Sequence, residues 1–368
     1  MQMVDKVMTI LPPREIYSEG HAGAISLLVS RLAEDNDIVV GNEIKTPALT
    51  GGKFVGLSYP PYVPYLAPLS LKYKMACLHA IFAHKPSLVE VHNKPDLAYS
   101  LARLLPVRLI LHNDPQTMRG AKTPQKRLRI AQKLLVCGVS EWVVSRFKDG
   151  DASFPPDIAI QHNYLDMAAL PKGKPRVNTV LFAGRVVADK GVDVFVQAWA
   201  QCRNLFPDWE AVIIGADRFG PHSPETPFLR ALRKEAQKSG VTLLGYQSHE
   251  DVLNAMRQAS IVVVPSRWPE PFGMTALEAM GCGAAVIASS AGALPEVVGD
   301  TAILVEPGNE TALSDALKNL MNNPALRKEL GHRAQLRAAH FFNLNAARHR
   351  LHELRRAAIE KREKLNRD

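Results

Sequence analysis

Apolar and polar residues follow two recurring rhythms along this chain. Short β-branched runs, the pattern of strands buried on both faces, take turns with stretches whose apolar positions recur every three to four residues, the pattern of helices packed on one side. In the first half this predicts strands over residues 4–11, 38–40, 88–92, 107–112, 133–137 and 158–161, with helices over 24–32, 70–84, 96–104 and 140–147. Residues 45–69, rich in Gly, Pro and Tyr, predict a loop. Pro171-Lys-Gly-Lys-Pro175 lacks apolar periodicity and reads as a linker. The rhythm then restarts, with strands over 179–183, 211–215, 242–244, 261–264 and 284–288, and helices around 192–199, 228–238, 250–258 and 274–280. Three helices over 310–321, 324–341 and 345–365 close the chain. Alternation of this kind builds parallel sheets covered by helices, so each half predicts a doubly wound α/β domain.

Composition sharpens that picture. A chain of 368 residues is comfortable for two cores, and 46% hydrophobic with 22% charged residues is ordinary for a globular protein. No apolar run approaches the ~18 residues that a bilayer crossing needs. The apolar run at 7–11 is too short for a signal peptide and meets Pro12-Pro13-Arg14 at once. Cys77, Cys137, Cys202 and Cys282 are scattered with no C-x-x-C pair, which points to a reducing cytoplasm. The net charge of +9 is uneven: residues 1–175 carry 21 Lys/Arg against 15 Asp/Glu, whereas 176–342 are close to neutral. The basic groups lack interleaved aromatics and any recognition motif, so nucleic acid is not an expected partner.

The candidate chemistry concentrates in residues 260–283. The run Ile261-Val-Val-Val264 predicts a strand that Pro265 stops, and after a Pro-Ser-Arg-Trp-Pro turn Gly273 opens a helix. The first amides of a helix have no partner within it and attract phosphate. Glu270 precedes that helix and Glu278 lies in its second turn, so two carboxylates flank an anion docked on the Gly273, Met274 and Thr275 amides. A nucleotide sugar suits this arrangement, with the diphosphate on the amides and the carboxylates on sugar and ribose hydroxyls.

The segment Glu270-Pro-Phe-Gly-Met-Thr-Ala-Leu-Glu278 resembles the E-x7-E signature of the retaining family 4 glycosyltransferases, which have the GT-B fold of two Rossmann-like doubly wound domains facing a central cleft. Leu181-Phe-Ala-Gly-Arg-Val-Val-Ala-Asp-Lys-Gly191 and Ser290-Ala-Gly-Ala-Leu-Pro-Glu296 resemble the flanking motifs in order and spacing, so about the last half of the chain is covered. The resemblance implies an acceptor-side domain over 1–170, a linker over 171–176, a nucleotide-sugar domain over 177–342 and, over 343–368, a helix crossing back to the first domain. It implies that Arg185 and Lys190, in the loop opened by Gly184, neutralise the departing diphosphate, and that Tyr246 touches the base. Glu270, Phe272, Gly273, Met274, Thr275 and Glu278 would surround the rest of the donor. Gly23 falls in a glycine loop near the phosphates, although Ala24 stands where the family has a second glycine. His112, in His112-Asn113-Asp114, matches a histidine that contacts the donor sugar, and His92 ends the neighbouring strand. His112, Arg185, Lys190 and Glu270 form the implied catalytic set. Asn163 and Asp166 resemble an N-G-x-D motif with Tyr164 in place of glycine; they and Glu296 are given no catalytic role.

Rival chemistries leave weaker traces. No G-x-G-x-x-G stands between a strand and a helix, which argues against a nicotinamide dehydrogenase. Asp149-Gly150-Asp151 has the letters of a metal-binding D-x-D but follows a helix in a polar turn, so no metal and no cofactor beyond the donor substrate is expected. The implied activity is retaining transfer of a hexose from a UDP- or GDP-linked sugar to a cell-surface glycan or lipid-linked acceptor, such as a lipopolysaccharide or exopolysaccharide precursor. A sugar-nucleotide epimerase of the same fold and a non-catalytic binding module stay open. Residues 115–140 hold Arg119, Lys122, Lys126, Arg127, Arg129 and Lys133 with no acidic residue. They read either as a basic helix packed on its own sheet or as a peripheral contact with anionic lipid on the inner face of the plasma membrane, with Tyr59, Tyr62 and Tyr65 at headgroup level.

Overall fold

The computed structural model describes residues 6–58, 67–151, 153–173, 175–217 and 225–367. The chain forms two units, Met1–Asn163 with Leu344–Asp368, and Tyr164–Asn343.

The first unit runs β1 (Val7–Ile10), α1 (Ala24–Leu32), β2 (Ile38–Asn42), β3 (Lys53–Leu57), α2 (Leu69–His84), β4 (Leu88–His92), α3 (Pro95–Leu101), β5 (Val107–Leu111), α4 (Pro124–Lys133), β6 (Leu135–Gly138), α5 (Glu141–Lys148) and β7 (Ala159–Ile160). Its strands lie in the order β3-β2-β1-β4-β5-β6-β7, and every pairing is parallel. The order reverses at β1 and β4, so a ligand crevice is expected at the C-terminal strand ends there. β3 lies within the stretch read as loop. It is an edge strand of one short apolar pair, Phe54-Val55, and the glycines before it mask its signal. Lys133 ends α4 rather than starting a strand, because the basic and apolar positions of 124–133 follow the helical period.

The second unit runs β8 (Val177–Ala183), α6 (Val192–Ala200), β9 (Glu210–Ile214), α7 (Pro227–Lys238), β10 (Val241–Gly245), α8 (His249–Gln258), β11 (Ala259–Val264), α9 (Met274–Gly281), β12 (Ala285–Ser289), α10 (Leu294–Val298), β13 (Ala302–Val305), α11 (Glu310–Asn322) and α12 (Pro324–Phe341). The sheet order is β10-β9-β8-β11-β12-β13, again all parallel. The sequence reading passed over α10 and β13, each under six residues long. The core joins Val180, Phe182, Phe195, Trp199, Ile261 and Val263 with Leu313 and Leu317 of α11.

The division between units falls at Asn163/Tyr164, ahead of the Pro171–Pro175 stretch where the linker was placed. Tyr164, Leu165 and Leu170 are buried, and the Leu165 N–H donates to the Phe342 carbonyl at 2.7 Å. Prolines and a glycine mark irregular backbone, whereas the change of core is set by these apolar anchors. Helix α13 (Leu344–Arg367) belongs to the first unit. Its Leu354 and Ala358 pack on Val7, Leu88, Leu135 and Cys137. Its Arg355, only 2% exposed, reaches Asp37 at 2.7 Å and Glu90 at 3.1 Å, and Arg108 holds Glu90 from the other side at 2.7 Å. No helix among the described residues is long and apolar enough to cross a membrane. All four cysteines are free and buried.

Candidate active site

The element that organises the second unit is the strand-turn-helix from β11 to α9. All six residues of β11 are buried, as a central parallel strand requires. Gly273 caps α9 with φ +97°, and a Cβ there would lie 2.5 Å from Leu294 Cδ2, so the turn needs glycine. No side chain caps this helix end. The Gly273, Met274 and Thr275 positions are half-buried, which leaves the first turn of α9 open to an anion.

Two loops converge just ahead of that end. In the loop from Gly184 to Gly191, the last glycine has φ +66°, and a Cβ on it would come within 1.9 Å of the Pro265 carbonyl oxygen. This close approach lays the loop against the turn after β11. The Asp189 carbonyl accepts from the Arg267 and Trp268 N–H groups at 3.0 Å each, and Arg267 pairs with Asp193 at 2.8 Å. The Glu270 backbone is pinned from the other side, where its carbonyl accepts from the Ala293 N–H at 2.8 Å. The consequence is a charged contact between the loops: Lys190 Nζ donates to Glu270 Oε1 at 2.5 Å, and Ser266 Oγ donates to the same oxygen at 2.6 Å. Glu270 is 7% exposed. A carboxylate held in that state needs these two donors, because an unpaired buried charge is costly.

Further round the unit, Glu278 contacts His249 Nε2 at 2.9 Å through Oε1. Tyr246, next to the end of β10, and Arg185 are exposed, and Arg185 makes no hydrogen bond or ion pair with any described residue. The unit thus brings together Lys190, Glu270 and an uncapped helix end, with one further carboxylate on α9. Phe272 does not join them. It is 3% exposed and sits edge-on to Phe342 with centroids 5.6 Å apart, so its ring is a core anchor rather than a surface for ligand. Ser266 and His249 were missed. A serine after a strand-ending proline carries some signal for the first, but nothing local in the sequence couples residue 249 to residue 278.

In the first unit the structure corrects the reading of Gly23. The carboxylate of Glu15 sits over the start of α1, accepting from the Ser26 N–H at 3.3 Å and from Ser26 Oγ at 3.1 Å. A Cβ on residue 23 would come within 2.5 Å of that carboxylate. The helix end already holds an anion of the protein, which satisfies the amide and repels phosphate, so Gly23 is removed from the phosphate-binding set.

His112 follows the end of β5 and stacks on His92, with centroids 5.0 Å apart and planes 18° from parallel. His92 Nδ1 and His112 Nε2 are 2.8 Å apart. Burial lowers the His92 pKa to about 4 against the pull of Glu90, and burial, then His92 and Arg108, hold His112 well below the usual range. Both rings are therefore neutral at pH 7. Burial alone would raise Glu90, but Arg108 and Arg355 outweigh it and bring its pKa to about 2. Asp114 is committed elsewhere: it accepts from Arg146 Nη2 at 3.0 Å and from the Gln116 N–H at 2.9 Å. Asp149, of the D-x-D letters, accepts from Gln116 Nε2 at 2.8 Å. Asp166 caps a short 3-10 turn by accepting from the Ala168 N–H.

The basic stretch splits in two. Arg127 is 2% exposed, donating to the Phe147, Ala121 and Asp149 carbonyls, and is structural rather than part of a lipid-facing surface. Lys122, Lys126, Arg129 and Lys133 are exposed, the last three at helical spacing on α4. Tyr59, Tyr62 and Tyr65 lie outside the described residues.

Comparison with known proteins gives this geometry a context. The structure of HepE from Anabaena in complex with UDP and glucose superimposes with a TM-score of 0.73 at 19% identity, covering 96% of this chain and 99% of that one. The pair of parallel doubly wound sheets is the GT-B fold. Residues 170–337 match the family model described as glycosyl transferases group 1. Alpha-D-kanosaminyltransferase of Streptomyces kanamyceticus is 31% identical over 170 residues, 46% of this chain and 42% of that protein. D-inositol 3-phosphate glycosyltransferase of Corynebacterium jeikeium is 34% identical over 183 residues, 49% of this chain and 43% of that protein. The aligned stretch thus spans about two fifths of these curated relatives. Through its second unit, the chain belongs to the glycosyl transferases of group 1.

Proposed function

We propose that the chain is a retaining glycosyltransferase that moves a hexose from a UDP- or GDP-linked sugar to a glycan or lipid-linked acceptor, such as a lipopolysaccharide or exopolysaccharide precursor. The observation that carries this reading is the contact of Lys190 with Glu270 ahead of the uncapped start of α9. A donor diphosphate outbids a single carboxylate for the ammonium of Lys190, with Arg185 and the Gly273, Met274 and Thr275 amides as further donors. Glu270, relieved of Lys190 but still held by Ser266, accepts from sugar hydroxyls. Glu278 takes the ribose hydroxyls, Tyr246 meets the base, and His112 contacts the transferred sugar.

The bond from the anomeric carbon to the diphosphate oxygen breaks, and the charge that develops there is met by Lys190, Arg185 and the helix end. Such preorganised donors are each worth ~2.7–4 kcal/mol. The acceptor hydroxyl attacks from the face the diphosphate leaves, and its proton passes to the departing phosphate oxygen. This route keeps the anomeric configuration, needs no enzymic nucleophile and assigns charge neutralisation to Lys190 and Arg185 in place of a metal. The exposed Lys126, Arg129 and Lys133 support a peripheral contact with the inner face of the plasma membrane, where a lipid-linked acceptor is presented.

The test is nucleoside diphosphate release from UDP-glucose and GDP-mannose in excess EDTA, with and without a membrane extract as acceptor, followed by NMR of the product anomer. Acceptor-stimulated release with retention is expected. An inverted product, or activity that only added Mg²⁺ or Mn²⁺ restores, contradicts the mechanism, and release indifferent to acceptor points to an epimerase.

A further inference from the structure

We propose that His92 and Asn93 are positioning residues that orient the ring of His112 and fix its tautomer, so that His112 presents an Nδ1–H donor to an oxygen of the sugar. This rests on the reading that His112 contacts the sugar and deepens it.

The two residues hold His112 by ring and by backbone. β4 and β5 pair in parallel with His92 opposite Ile110, which brings their C-terminal ends side by side. His92 Nδ1 meets His112 Nε2 at 2.8 Å, and the stacked rings limit rotation. Asn93 has φ +54°, a left-handed conformation that asparagine tolerates better than other side chains with a Cβ. Its own N–H donates to the Ile110 carbonyl at 2.9 Å, and its Oδ1 accepts from the His112 N–H at 2.7 Å. Ordinary strand endings require neither a strained asparagine nor a second histidine.

The proton count decides the tautomer. Two neutral imidazoles in contact share one proton, so one ring nitrogen donates and the other accepts. Glu90, two residues before His92 on the same face of β4, has its oxygens taken by Arg108, Arg355 and Thr9. His92 Nε2 has no hydrogen bond among the described residues. Were the His92 proton on Nε2, a buried N–H would be orphaned; with the proton on Nδ1 only a lone pair is, and orphaned donors are the rarer and costlier case. His92 therefore donates from Nδ1 to His112 Nε2, and the proton of His112 resides on Nδ1. His112 is only half-buried, and no hydrogen bond with a described residue uses that nitrogen.

Long-range ¹⁵N–¹H NMR of the histidine rings in the intact, ligand-free chain tests this without activity, the signals being assigned by their loss in His112→Asn and His92→Asn. A protonated Nδ1 on His112 that becomes a tautomer mixture in His92→Leu is the expected result; a protonated Nε2, or an unchanged His112 in His92→Leu, overturns the proposal. Kinetics with UDP-glucose and GDP-mannose give a second readout. His92→Leu is expected to lower kcat about tenfold with little change in donor KM and to add nothing in a His112→Ala background, whereas His92→Asn restores most of the rate. If His112→Ala is impaired while His92→Leu matches wild type, the positioning role is wrong and the role of His112 stands. If His112→Ala matches wild type, both fall. Thermal midpoints confirm that each variant is folded.

Discussion

Replacing Lys190 by alanine has two separable effects. Its ammonium lies 2.5 Å from Glu270 Oε1, and the Glu270 side chain is 9% exposed, leaving Ser266 as the remaining partner described here. Orphaning that carboxylate costs about 1–3 kcal/mol, toward the lower end because Lys190 is itself 26% exposed. At 2–4 °C per kcal/mol for a unit of this length, the midpoint falls by roughly 4 °C. The catalytic loss is larger: removing a donor aimed at developing phosphate charge costs ~2.7–4 kcal/mol, or about 10²–10³ in kcat. Adding Glu270→Gln separates the two. A neutral amide no longer needs the ammonium, so the double variant recovers the wild-type midpoint but not the rate. Thermal scanning and nucleoside diphosphate release from the turned-over donor measure both. A Lys190→Ala enzyme within threefold of wild type, or a midpoint that Glu270→Gln leaves low, would falsify the reasoning.

Acidification is expected to destabilise the first unit in two stages. His92 titrates at about 4 in the folded chain against ~6.5 unfolded, so its penalty is absent above that unfolded value and grows to about 3 kcal/mol as pH falls to 4. Glu90, held near 2, then loses its stabilisation as pH falls from its ordinary 4.5 through 2; a midpoint flat between pH 7 and 4 contradicts the buried neutral pair. Phe272→Ala should cost ~3–5 kcal/mol of stability as a core truncation while leaving donor affinity of the folded fraction unchanged, and a stable variant with lost affinity would return Phe272 to the donor site. Charge reversal at Lys126, Arg129 and Lys133, sparing Arg127, should release the chain from anionic vesicles at low salt; equal sedimentation of wild type with neutral and anionic vesicles refutes the membrane contact.

What the sequence discloses here depends on how local the signal is. β11, its proline stop and the Gly273-led helix are legible because a β-branched run, a strand breaker and a glycine cap act within some twenty residues. The alternation of both units is legible for the same reason. Contacts made across the fold leave no such mark: Glu15 over the start of α1, His249 on Glu278, and the ring of His92 on His112. Residue type also misleads where the fold overrides it. Arg127 reads as surface, yet three carbonyls satisfy its guanidinium inside the unit. Phe272 reads as part of a donor motif, yet it serves the core that holds Glu270 in place.

The central claim is that the second unit holds a nucleoside diphosphate sugar between Lys190, the start of α9 and Glu278. Calorimetric titration of the full chain with UDP, GDP, UDP-glucose and GDP-mannose tests it most directly, with Lys190→Ala and Glu278→Ala alongside. Saturable one-to-one binding of one nucleotide and its sugar is expected, weakened about tenfold or more in each variant, a loss of ~1.4 kcal/mol or greater. No binding of any of the four at millimolar concentration, or wild-type affinity in both variants, contradicts the account.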